Sequence, residues 1–171
     1  MALLEQPSQL QVAIADALKS AFPHLRVGNH HDFPDMGDNT GISISVERNG
    51  PGVRSLAGRK AHAWSVSLKA MVASGSASFD ACDLASQLMD LALDNRWGLP
   101  PDQCGRPTMI VAAPCAPIGA ETDYDIWTVS FIQNFFLRPS LFERPTGMPL
   151  FACAWGVSNI DDAGQYRPLQ E

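Results

Sequence analysis

Between Ala61 and Leu93 the apolar residues change their spacing, and few architectures accommodate such a change. His62, Trp64, Val66, Leu68, Ala70 and Val72 share one parity, while Ser65, Ser67, Lys69 and Met71 share the other. Period-two alternation marks a strand with one buried face. The small polar run Ser74-Gly75-Ser76-Ala77-Ser78 suits a turn. Beyond it, Ala81, Leu84, Ala85, Leu88, Leu91 and Ala92 recur at helical spacing and form one amphipathic stripe. Ser76 or Ser78 can serve as N-cap, with Asp80 and Asp83 near the positive end of the helix dipole. An apolar strand face followed by an apolar helix stripe predicts that the two pack together. This is a core without evident chemistry.

The flanking segments extend the same layout. Leu10, Ile14, Ala17, Leu18, Ala21 and Phe22 predict a first helix over Ser8–Phe22, with Ser8 and Gln11 spaced as a capping box and Pro23 as its end. A short strand is expected near Leu25–Val27, and Ile42, Ile44 and Val46 alternate with Ser43, Ser45 and Glu47 in another. Arg48–Lys60, with Gly50, Pro51, Gly52 and Gly58, reads as the basic, mobile tip of an extended hairpin. Thr108–Ala112 is a short strand. Tyr124–Leu137 is a long one, with Trp127, Val129, Phe131, Phe135 and Leu137 on one side and Ile126, Ile132 and Phe136 on the other. A strand apolar on both sides is central in its sheet or covered by another subunit. The expected class is α+β: a mostly antiparallel sheet of four to five strands, two helices on one face, a long hairpin loop and an extended C-terminal tail. The domain is placed at 1–137 and the arm at 138–171, where Pro139, Pro145, Pro149 and Pro168 break up an apolar segment.

Composition narrows the function classes. Charged residues make up only 18% of 171, and hydrophobic ones 46%, so part of the surface is expected to be covered by partners. A net charge of -6 argues against a protein whose main task is gripping nucleic acid. Cys82, Cys104, Cys115 and Cys153 form no C-x-x-C pair and read as reduced thiols of a cytosolic protein. The N-terminus lacks the features of a signal peptide, and no apolar run reaches the ~20 residues of a membrane span. A soluble protein of intracellular origin is expected.

Candidate chemistry is sparse. His30, His31, Asp32, Asp35 and Asp38 offer imidazole and carboxylate ligands that suit a divalent ion, but Pro34 and Gly37 place them in a loop without helical spacing. A solvated polar loop is the competing reading. His24 and His62 read as structural. No G-x-S-x-G elbow, Walker loop or G-x-G-x-x-G is present, and no cysteine has an evident basic partner. Asp123 and Asp125 read as a solvated pair. No catalytic, cofactor-binding or metal residue is therefore assigned. The basic loop, with Arg48, Arg54, Arg59 and Lys60, is either a solvated tip or an arm reaching a neighbouring subunit or DNA, without the interleaved aromatics of a nucleic-acid site.

The order of elements resembles a known family. An N-terminal helix, a strand, a long Gly/Arg-bearing hairpin loop, an alternating strand with Trp64, a helix ending near Trp97-Gly98 and the strand IWTVSFIQNFF are similar to the tail terminator (tail completion) proteins of long-tailed bacteriophages, the lambda-like and Mu-like versions above all. The resemblance covers Ser8–Leu137 and has no counterpart for the arm. It implies a structural virion protein without catalytic residues or cofactors. Such a protein forms a six-fold ring that caps the tail tube, ends its polymerisation and offers a docking surface for the head connector. Implied partners are further copies of the chain, the tail tube and head–tail connector proteins, the tail sheath protein in contractile tails, and DNA passing the lumen without specific binding. Arg48, Arg54, Arg59 and Lys60 in the loop, with Phe142, Leu150, Phe151 and Trp155 in the arm, are the expected interface residues. A head–tail connector or neck adaptor is the alternative within virion assembly. A small metal-dependent enzyme using His30, His31 and the nearby aspartates is the alternative of another class.

Overall fold

The structure, a computed structural model, describes residues 4–29, 32–33, 40–53, 59, 61–73, 80–115, 124–137, 152–153 and 167–168. The chain divides into two units, Met1–Ser140 and Leu141–Glu171. In the first unit, helix α1 spans Pro7–Ala21, with Leu10, Ile14 and Leu18 buried on its apolar stripe. Its cap lies two residues earlier than the sequence predicts. Pro7 takes the first helical position, where a missing N–H costs nothing, and Gln6 is the N-cap. The Gln9 side chain, rather than that of Gln11, reaches back to accept from the N–H groups of Gln6 and Glu5.

Five strands follow: β1 (Arg26–Asn29), β2 (Gly41–Pro51), β3 (Ala61–Ala73), β4 (Thr108–Pro114) and β5 (Tyr124–Phe136), with helix α2 (Asp80–Ala92) between β3 and β4. They form one sheet in the order β1-β2-β3-β5-β4. The class is α+β, as expected, and all neighbours but one are antiparallel. The exception is β1, which runs parallel to β2 through Arg26–Gly41 to Asn29–Ile44. Parallel pairing of two strands so close in sequence is not what short-connection arguments foresee.

Both helices cover one face. Ile42, Ile44, Trp64, Val66, Leu68, Ala70, Val129, Phe131 and Phe135 join Leu10, Ile14, Leu18, Leu84, Ala85 and Leu88 in a single buried cluster. The alternation in β3 is thus read out as expected, with the even residues inward. Burial of such side chains, each worth roughly 1.5–3 kcal/mol, holds the two layers together. The second unit pairs β6 (Ala152–Cys153) with β7 (Arg167–Pro168).

One end of the core is polar and closed. Gln133 is fully buried on the inner side of β5; its Oε1 accepts from Trp97 Nε1 at 2.8 Å, and its Nε2 donates to Gly105 O at 2.8 Å. Gln103 Oε1 accepts from Leu4 N, and Gln103 O accepts from Phe136 N, so residues 97–105 are stitched to β5 and to the N-terminal segment. Asp94, Trp97 and Gly98 adopt positive φ in this connection, so the helix ends at Ala92 and not near Trp97.

Candidate functional site

The basic hairpin divides into parts with different fates. Pairing of β2 with β3 continues to Pro51–His62, past a bulge between Val46 and Arg48. Arg48 therefore sits in a strand and not in a mobile tip. The bulge adds a residue, resets the alternation and turns Arg48 onto the outer face of the sheet, opposite Ser65. Arg59 is also misplaced by a tip reading. It is 6% exposed, with its guanidinium 3.3 Å from Asp102 Oδ2 and 5.6 Å from the ring centroid of Phe136. Arg59 closes its own hairpin against β5 and the 97–105 connection, which withdraws it from any role as a reaching arm. Arg54, Lys60, Phe142, Leu150, Phe151 and Trp155 lie outside the described residues.

Of the metal-like cluster, His30, His31, Asp35 and Asp38 lie outside the described residues, while Asp32 is placed. Its Oδ2 accepts from the Asn29 N–H at 2.7 Å, and its main-chain carbonyl accepts from Arg26. That carboxylate closes a turn at the end of β1. Among the described residues no group of three His, Cys, Asp or Glu could hold a metal ion. His24 is exposed in the turn after α1, and His62 stacks on Phe135 at 5.3 Å between centroids. Asp123 is outside the described residues, and Asp125 is exposed in β5. Cys104 is no nucleophile: burial pushes its thiol up to about 12, against the lowering effect of Arg96.

What the fold does assemble is a surface. Antiparallel partners share a face, so the residues opposite the core form four rows across the sheet. Ser45, Ser67 and Ser130 make one row, and Ser43, Lys69 and Thr128 the next. Met71–Ile126 flank them on one side, and Ser65–Ile132 on the other. Ser67 is buried among its neighbours, donating to Glu47 Oε1 at 2.5 Å and lying 3.1 Å from Ser130 Oγ. The outer face is thus a shallow floor of small hydroxyl side chains between larger apolar ones. The floor is not open: Ser67 and Ser43 are 0% and 1% exposed, and at its β1 side Asp32 lies over Gly28, the neighbour of Ser43. The serines of β2 and β3 are visible in the sequence, but only the register shows that they join Ser130 and Thr128 in one floor.

The sheet edges are guarded as well. In β4, Cys115 N donates to Ile126 O, so Val111 and Ala113 turn their main chain toward β5 while Ala112 and Pro114 turn theirs outward. Pro114 brings no donor to that edge, and the bulge at Met109, with φ 55°, breaks its other end. At the opposite edge the four-residue β1 ends in the Asp32 turn. Association through edge pairing is disfavoured at both. No protein-family model and no curated protein matches the chain. No described helix is long and apolar enough to cross a membrane.

Proposed function

We propose that this chain is a structural virion protein, the subunit of a hexameric ring that caps a phage tail tube, ends tube polymerisation and presents a docking surface to the head connector. One observation carries the reading: the element order that resembles tail terminators folds as a single sheet with both helices on one face, leaving the other face unlike it and lined by small side chains. A ring needs two different patches on each subunit, and a two-layer fold with unlike faces supplies them. The charge fraction of 18% supports extensive contact with neighbours, and the net charge of -6 suits a lumen that lets DNA pass without holding its phosphates. In this role the protein works in the tail and neck of the virion, with the tail tube and connector proteins as partners and the sheath protein beside them in contractile tails.

The test is tube growth. Purified tail tube protein is polymerised with increasing amounts of this protein, and tube lengths are measured by electron microscopy. Shortened tubes carrying a density at one end are expected. Tubes of unchanged length with bare ends would refute the capping role, and binding to the connector protein alone would favour the neck adaptor instead.

A further inference from the structure

We draw no further inference here: the strongest candidate, the apolar patch of Met109 and Val111 on edge strand β4, 79% and 59% exposed beside its bulge, carries nothing because nothing in the structure shows what covers it.

Discussion

Replacing Gln133 with Met keeps the length of the side chain and removes its hydrogen bonding, which isolates the polar closure of the core. Two groups then lose their partners: the buried Trp97 indole N–H, now 2.8 Å from Oε1, and the part-buried Gly105 carbonyl, now 2.8 Å from Nε2. Each orphaned group costs about 1–3 kcal/mol, and burying a thioether in place of an amide offsets part of the sum, leaving a loss of about 3 kcal/mol. For a chain of this size that lowers Tm by roughly 6–12 °C. Urea unfolding followed by tryptophan fluorescence gives the free energy directly. Trp97→Phe removes the donor but strands the Gln133 oxygen and disturbs the stack on Phe131, 5.8 Å between centroids, for about 2–3 kcal/mol. In the double variant donor and acceptor are both gone, so its cost should fall short of the sum by about 1–2 kcal/mol. Additive costs, or a loss below about 0.5 kcal/mol for Gln133→Met, would refute the claim that this network holds the 97–105 connection to β5.

Further variants probe the hairpin and the thiols. Arg59→Ala should cost about 2 kcal/mol, because it empties a buried site against Phe136, whereas Asp102→Ala should cost below about 1 kcal/mol because its carboxylate is 62% exposed. Thermal melts of the two variants check the asymmetry. Gly52→Ala places a Cβ 2.8 Å from the Ala61 Cβ and 3.1 Å from the His62 main chain. Neither paired strand residue can yield cheaply, so a loss of about 1–3 kcal/mol is expected in the same melts. Cys115 is exposed and Cys104 buried, so a thiol reagent at neutral pH should label Cys115 in the native protein and Cys104 only on unfolding. The folded state keeps the Cys104 thiol protonated up to about 12, against 9.0 ordinarily, so its contribution is intact below pH 9 and is lost as pH rises toward 12. The urea stability of the wild type relative to Cys104→Ala should fall across that window by about 1.4 kcal/mol per pH unit.

The sequence carries those parts of the fold whose side chains obey one period. The stripes of α1 and α2 and the alternation in β3 identify their buried residues, since each faces a continuous apolar layer. It fails where a local event breaks the period. The bulge at Glu47 shifts the parity of β2, so Arg48–Pro51 reads as loop although it is paired. Four residues of β1 are too few to show a period, and nothing in the sequence marks their pairing with β2 as parallel. Gln133 looks like a polar interruption in β5 until Trp97 and Gly105 come into reach from a distant connection. Arg59 looks solvated until Asp102 and Phe136 surround it. The outer face was legible only in halves: Ser45 and Ser67 could be assigned to polar strand faces, but the floor they form with Ser130 is a property of register.

Native mass spectrometry of the purified chain, alone and mixed with tail tube protein, tests the central claim most directly. The ring predicts a species of six copies, formed by the chain itself or only on the tube protein. A single chain at all concentrations, unchanged by the tube protein, would contradict it.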